Sequence, residues 1–497
     1  MIESPTIRSS TLEAYFHKFR KHIIGQDETF TSPYGEQRIL YADWTASGRL
    51  YRPIEEEFIR NIYPKVGNTH TETNFTGSTM TYAYNLAKQK IKSHVGANTD
   101  DVLLSSGSGM TGMVNKFQRI LGLKVHEKYH DLIELEEEKV PVIFVSHMEH
   151  HSNQTSWEEC LADVVIIPAD ESGLMDLDAL KALLKKYSDR THKIAAITSC
   201  SNVTGIRTPY HEVARLMHKA GGHCFVDFAC SAPYIDICMR PPEDPDAHLD
   251  AIYFSPHKFL GGPGATGILI FSPDLYNNRI PDNIGGGTVN WTNPWGGKRY
   301  YDAIEVREDG GTPAFLQTMR VAKSIALKEE MGVDNILKRE EEINKQIFEG
   351  LEAIKGLNIL AGRVKDRLGV FSFYIDDLHY NLGVKLLNDR FGIQVRGGCS
   401  CAGTYGHYLL HVGQDHSKSI TCKIDEGDMS EKPGWIRLSI HPTMTDSEVQ
   451  FIIHALREIA EKHEEWASDY LYDKSSNCFY HKNESKKIET QSIQDWF

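Results

Sequence analysis

The chain has 497 residues, 40% hydrophobic and 25% charged, a balance that suits a soluble globular protein whose core needs neither disulfides nor a structural metal. A formal net charge of −14 excludes a basic face for a nucleic-acid backbone, though not a local pocket for a small anion. Nine scattered cysteines without zinc-ribbon spacing read as reduced thiols, and no apolar run approaches the ~20 residues of a membrane span. The opening residues are polar and amphipathic with no apolar signal core, so a soluble, cytoplasmic protein is expected.

Leu12, Tyr15, Phe16 and Phe19 share one face of a predicted helix over 11–24. A short strand follows at 39–43 and a helix at 82–94. Apolar runs then recur at 102–105, 142–146, 164–168, 194–199, 223–227, 252–255 and 267–271. Helices at 176–187 and 209–220 separate some of them, the second with Thr208 as N-cap and Pro209 as its first helical residue. This alternation predicts an α/β fold with a mostly parallel sheet covered by helices. The acidic run 127–139 reads as a solvated insertion. Beyond residue 320, helices at 317–330, 334–353 and 446–462 with strands at 369–375 and 435–440 predict a smaller α+β C-terminal domain. The expected organisation is an N-terminal helix and arm (1–45) packing with the small domain, a large domain (46–320), the small domain (321–470) and a polar, disordered tail (471–497).

Open parallel sheets bind ligands at the carboxyl ends of their strands. After the run at 102–105 comes Ser106-Gly-Ser-Gly-Met-Thr111, a Gly/Ser loop leading into a helix, which suits either a phosphate or a plain turn. After 142–146 comes His147-Met-Glu-His-His151, which lacks the His-Glu-x-x-His zinc spacing, so no metal site is read there. Cys200-Ser-Asn-Val-Thr-Gly205 and Asp227-Phe-Ala-Cys230 close the next two runs, and Ser255-Pro-His-Lys258 follows the run after them. A Schiff-base lysine needs a lowered pKa and a fixed approach to an aldehyde. An aspartate at the neighbouring strand end suits a pyridinium nitrogen. Lys258 and Asp227 together therefore point to pyridoxal 5′-phosphate (PLP).

Ser-Gly-Ser-Gly, Glu-His-His-Ser-Asn, Ser-Asn-Val-Thr-Gly, Val-Asp-Phe-Ala and Ser-Pro-His-Lys-Phe, in this order, resemble the class V aminotransferase family of PLP-dependent enzymes, and within it the cysteine desulfurases and selenocysteine lyases. The resemblance implies a fold type I transferase with a seven-stranded sheet and a homodimer with shared active sites. It implies that Lys258 carries PLP, Asp227 pairs with the ring nitrogen, and His150 stacks on the ring and relays protons. Asn202 would sit near the ring oxygen or the substrate, and Ser108, Gly109, Ser255 and His257 would hold the phosphate. Thr312, in Asp-Gly-Gly-Thr-Pro, would reach the phosphate of the neighbouring subunit, and His70 would stand on the substrate side. The family's glutamine is replaced here by Cys230, a weaker donor to the ring oxygen.

The glycine-rich stretch from Gln394 to His407 carries Cys399 and Cys401. Breaking a carbon–sulfur bond with PLP requires a thiolate to take the sulfur, and Arg396 favours that thiolate. The loop is read as mobile and resembles the catalytic-cysteine loop of desulfurases, with Cys401 at the matching position. Its Cys-x-Cys form is more like molybdenum-cofactor sulfurases. A metal pair with His407 and two inert thiols are the alternatives. Ile436, Leu438 and Ile440 alternate along a strand and put Arg437 on the opposite face, either solvent or active site; the resemblance implies that Arg437, with its planar fork, binds the substrate carboxylate. The expected reaction removes sulfur or selenium from cysteine or selenocysteine, leaving alanine and a Cys401 persulfide for a sulfur-acceptor protein. Transamination or β-elimination of a small amino acid is the alternative, and a non-catalytic scaffold a lesser one.

Overall fold

The apolar runs of the first half of the chain pair into one sheet. In the computed structural model, which describes residues 11–483, 493, 494 and 496, its strands are β1 (Val102–Ser106), β2 (Val142–Ser146), β3 (Asp163–Ile167), β4 (Lys193–Thr198), β5 (His223–Asp227), β6 (Ala251–Phe254) and β7 (Gly267–Phe271). Residues 1–10 of the expected arm and 484–492, 495 and 497 of the expected tail lie outside the described residues. The strand order is β1-β7-β6-β5-β4-β2-β3. β2 to β6 pair in parallel, while β7 runs antiparallel to both β1 and β6. Alternate residues serve opposite layers: Val142 and Phe144 of β2 join one apolar cluster, Ile143 and Val145 the other. Burial on both faces is why these runs are continuously apolar, at about 1.5–3 kcal/mol per large side chain.

Helices follow the strands closely. Phe75–His94 begins earlier than its apolar pattern suggests, because Asn74 Oδ1 accepts from the Gly77 N–H at 2.8 Å and caps a polar first turn. At Tyr210–Lys219 the cap reading needs correction. Pro209 occupies the N-cap position, and the Thr208 hydroxyl instead donates to the Thr198 carbonyl at 2.5 Å, tying the helix start to the end of β4. The acidic stretch Glu127 to Lys139 is exposed throughout, as a solvated insertion should be.

A second sheet contains β8 (Leu357–Ile359), β9 (Val370–Ile375), β10 (Arg396–Gly398) and β11 (Trp435–Ser439) in the antiparallel order β8-β9-β11-β10. The N-terminal segment is sewn to it. Leu40–Tyr41 pairs in parallel with Ile393–Gln394, and Asp43 bridges to Ser439. Helix Thr11–Arg20 buries Phe16 and Phe19, and Arg20 pairs with Glu448 at 2.5 Å, at the capping box of helix Asp446–Ala467. The stretch after 470, expected to be a disordered tail, starts as a hairpin, Tyr470–Asp473 with Cys478–His481. Composition hid it because the order comes from a few aromatics: Tyr472 and Phe479 pack on each other and on His379. Among the described residues no helix is long and apolar enough to cross a membrane.

Candidate active site

The carboxyl ends of β4, β5 and β6 open into a cavity of about 210 Å³. The N-terminal segment at Thr45 and Ala46 covers one side, and the loop carrying Ser400 and Cys401 another. Of the residues singled out in the sequence, Lys258, Asp227, His150, Asn202, Cys230, Ser255, His257, Arg396, Arg437 and Cys401 all line it.

Lys258 sits in the turn after β6, Pro256–Lys258. Gly48 clamps this turn, its N–H donating to the His257 carbonyl at 2.9 Å, and a Cβ there would fall 2.0 Å from the Phe259 carbonyl oxygen. Burial, and then Arg437 and Arg396, push the Lys258 ammonium down, while Cys230 and Asp227 oppose the shift. Among the described residues no hydrogen bond or ion pair holds its Nζ. Lys258 is half-buried and faces the cavity, so its unpaired amine is open to a covalent ligand.

Asp227 ends β5, and β5 pairs with β6 so that Asp227 lies opposite Tyr253. Burial raises its carboxyl to about 6 against the pull of the Ala229 N–H, which donates to Oδ1 at 2.7 Å, and of Lys258. His150 is the N-cap of helix His151–Glu158, and its Nδ1 accepts from the Ser152 N–H at 3.1 Å. Burial and the nearby Lys258 hold it down to about 3, so the ring is neutral with its proton on Nε2. Asn202 donates through Nδ2 to the Ser400 carbonyl at 2.7 Å, and its buried Oδ1 has no partner.

Ser255 Oγ accepts from the Met110 N–H at 2.9 Å, at the start of helix Met110–Ile120, which leaves the hydroxyl hydrogen for an anion. Gly109 keeps the space open: a Cβ there would lie 3.1 Å from Ser255 Oγ and 3.6 Å from His257 Nε2. Burial lowers His257 to about 4, with Lys258 adding to the effect. These features fit PLP: an unpaired lysine facing the cavity, a carboxylate for the ring nitrogen, an orphaned amide oxygen and a phosphate-sized cradle at a helix N-terminus. Cys230 lies against Cys200; contact with that thiol lowers Cys230, and Lys258 and Arg437 act in the same direction.

The loop at Cys401 is held rather than mobile. The His151 N–H donates to the Cys401 carbonyl at 2.7 Å, and His151 Nε2 accepts from the Gly403 N–H at 2.8 Å. Trp435 Nε1 donates to Ser400 Oγ at 3.2 Å. Ser400 and Cys401 both take left-handed backbone conformations, φ 52° and 57°, a strained pair that these bonds sustain. Cys401 is exposed and Cys399 half-buried. His407 is turned to other partners, the Gly403 carbonyl and Ser417 Oγ, both at 2.8 Å.

Arg437 is buried, so the face opposite the alternating isoleucines and leucine belongs to the site. Its Nη1 donates to the Asn202 carbonyl at 3.2 Å and its Nη2 to Asp43 Oδ1 at 2.8 Å, while Nε is buried without a partner. Asp43 Oδ2 accepts from Arg396 Nε at 3.1 Å, so one carboxylate holds both arginines. Sequence reading missed Asp43; its only signal was a charged residue ending a short apolar strand. Four expected residues do not line the cavity: Gly109, which lies beside Ser255, and Thr312, Ser108 and His70. Thr312 lines a separate cavity of about 120 Å³ with Ser106 and Gly107, Ser108 is exposed on its loop, and the His70 ring packs by Gly287.

The model of the family described as aminotransferase class-V matches residues 40–452. A probable cysteine desulfurase of Staphylococcus epidermidis is 29% identical over 376 residues, covering 74% of this chain and 84% of the relative. One of Staphylococcus aureus is 28% identical with the same coverage. Among solved structures, the apo cysteine desulfurase of Thermococcus onnurineus NA1 superposes with a TM-score of 0.71 at 20% identity, covering 92% of this chain and 100% of that one. The cysteine desulfurase CsdA of Escherichia coli superposes with a TM-score of 0.69 at 20% identity, covering 90% and 98%. These superpositions show the type I fold.

Proposed function

Because the chain belongs to the class V aminotransferase family of PLP-dependent enzymes, we propose that it removes sulfur from L-cysteine, or selenium from selenocysteine, giving alanine and a persulfide on Cys401. The observation that carries this reading is that Cys401, an exposed thiol on a strained and pinned loop, lines the same cavity as Lys258 and Asp227.

Lys258 would anchor PLP, Asp227 would hold the ring nitrogen, and Gly109, Ser255 and His257, with the adjacent Ser108, would hold the phosphate. Bound PLP supplies an electron sink for the substrate carbon, which allows the bond to sulfur to break. The unpaired Nε of Arg437 and the neighbouring Arg396 would orient the substrate carboxylate. Neutral His150 has an Nε2–H that would donate a hydrogen bond in the cavity. Asn202 both steadies the Cys401 loop and offers Oδ1 to the ligand. Cys401 Sγ takes the sulfur and, being exposed, can pass it to an acceptor protein. The positions of Thr312 and His70 outside the cavity of their own chain support a homodimer in which each would serve the partner's site.

The test is the holoenzyme with L-cysteine, measuring sulfide and alanine for wild type and Cys401→Ala. Alanine formation should fall by roughly 10³-fold or more in the variant, as on loss of a nucleophile elsewhere, with PLP still bound. Sulfur release that survives the substitution refutes the persulfide route. A keto acid as the main product would move the assignment to transamination or elimination.

A further inference from the structure

Two cysteines meet in the wall of the cavity. β4 and β5 pair in parallel with Thr198 opposite Asp227, so Cys200 and Cys230 each follow the end of one of two neighbouring strands. The segments run on side by side. The Ser199 N–H donates to the Asp227 carbonyl at 2.9 Å, and Ser199 Oγ and Ser231 Oγ are 2.5 Å apart. Cys200 and Cys230 approach the same carbonyl, that of Ser201, with their Sγ atoms at 3.6 and 3.7 Å. The two thiols are in contact with each other. Both are buried, yet both line the cavity that Lys258 faces.

A disulfide forms between cysteines whose backbones are already neighbours and whose sulfurs already face each other. The hydrogen bonds between the two segments supply the first condition and the thiol contact the second. We propose that Cys200 and Cys230 are a reversible oxidation site, closing to a disulfide under a peroxide and thereby loosening the hold of the cavity on PLP.

Cys230 is the reactive partner. Contact with Cys200, and then Lys258 and Arg437, lower its thiol against the effects of burial and Asp227. Burial above all, and then contact with Cys230, raise Cys200, which stays a thiol. Hydrogen peroxide is small enough to enter the cavity. The Cys230 thiolate attacks it, an S–O bond forms and the O–O bond breaks, leaving a sulfenic acid and a hydroxide that takes up the Cys230 proton. Cys200 Sγ then attacks the sulfenic sulfur. The S–S bond forms, the S–O bond breaks, and the oxygen leaves as water with the Cys200 proton. The two thiols give up two electrons and the peroxide becomes two waters. Cys230 occupies the position of the family's glutamine, from which a donor would reach the PLP ring oxygen. A disulfide sulfur carries no hydrogen, so that donor is lost. It carries no charge either, so Lys258 loses a group that favours its ammonium. The effect on the cofactor rests on the PLP reading of the cavity; the bond itself does not.

The test treats the holoenzyme, and the apoprotein made from it, with hydrogen peroxide. A Cys399→Ser/Cys401→Ser background keeps those thiols from reacting in the same cavity. The protein is then alkylated in denaturant, digested and weighed. A peptide pair joined through Cys200 and Cys230 is expected, about 2 Da lighter than its reduced parts and dissolved by dithiothreitol. Fragmentation should place the link on Cys230 rather than on Cys224 or Cys238, and Cys200→Ser or Cys230→Ser should abolish it. The mapping needs no substitution at either thiol, so a fold defect in those variants cannot mimic it. PLP affinity, from equilibrium dialysis, should fall about 5-fold on oxidation, as for the loss of one hydrogen bond, and recover with dithiothreitol. Full alkylation of Cys200 and Cys230 after peroxide in both forms, or linkage of either to another cysteine, overturns the site. A Cys200–Cys230 bond that leaves PLP affinity unchanged overturns its effect on the cavity. A protein that forms the bond but never binds PLP supports the oxidation site and refutes the cofactor reading.

Discussion

Asp43→Asn tests the arginine clamp directly. Asp43 holds Arg437, whose side chain is 4% exposed, at 2.8 Å and Arg396, 50% exposed, at 3.1 Å. The two arginines stand opposite each other on β10 and β11, so without the carboxylate two guanidinium groups face one another unscreened. A buried charge-assisted hydrogen bond contributes about 1.5–3 kcal/mol. The half-exposed pair with Arg396 adds only about 0.5 kcal/mol after solvent screening. Asparagine keeps the volume but no charge, so stability should drop by about 2–3 kcal/mol, read from urea unfolding of wild type and variant. The KM for L-cysteine should rise about tenfold, with kcat less affected, since the lost interaction positions the carboxylate in ground and transition states alike. An unchanged unfolding midpoint together with an unchanged KM would refute the clamp.

Lys258→Ala should abolish fixation of PLP by borohydride, measured by peptide mass; fixation on another lysine would overturn the anchor. His151→Ala should lower turnover about tenfold through loss of the bond to Gly403, a loss of about 1.4 kcal/mol, while PLP content stays constant. Asp227 supplies a pH signature. Its carboxyl is raised from an unfolded value near 3.8 to about 6, so in the apoprotein the native state holds the extra proton between those values. Apoprotein stability should therefore fall by about 2 kcal/mol as pH rises from 4 to 6, relative to Asp227→Asn, and addition of PLP should restore more of it at pH 7 than at pH 5. Parallel pH profiles of wild type and Asp227→Asn would contradict this.

The sequence showed best what a sheet imposes locally. Each strand of the central sheet is an apolar run followed by polar residues at its end, so Asp227, His150 and Lys258 could be placed side by side before their distances were known. The alternation around Arg437 gave its face, but only the fold shows that this face looks inward. Long-range pairing was not legible. Nothing near Asp43 marks its partners, 353 and 394 residues away. The Cys401 loop looked mobile because of its glycines; its rigidity comes from His151, Asn202 and Trp435, which reach it from other segments. Thr208 has the chemistry of a cap, yet a carbonyl at the end of β4 takes its hydroxyl first.

The stitching of Leu40–Tyr41 to Ile393–Gln394 has a consequence for synthesis. Contacts across so much of the chain close late, after the intervening segments have been made and have folded. A growing chain can complete the sheet that presents Lys258 while β10 and β11 are still unmade. It cannot yet hold an amino acid by its carboxylate or offer Cys401 to it. Under the proposed reaction, reactive sulfur would be withheld until the last strands are in place, and truncated chains would be inert products rather than leaky enzymes.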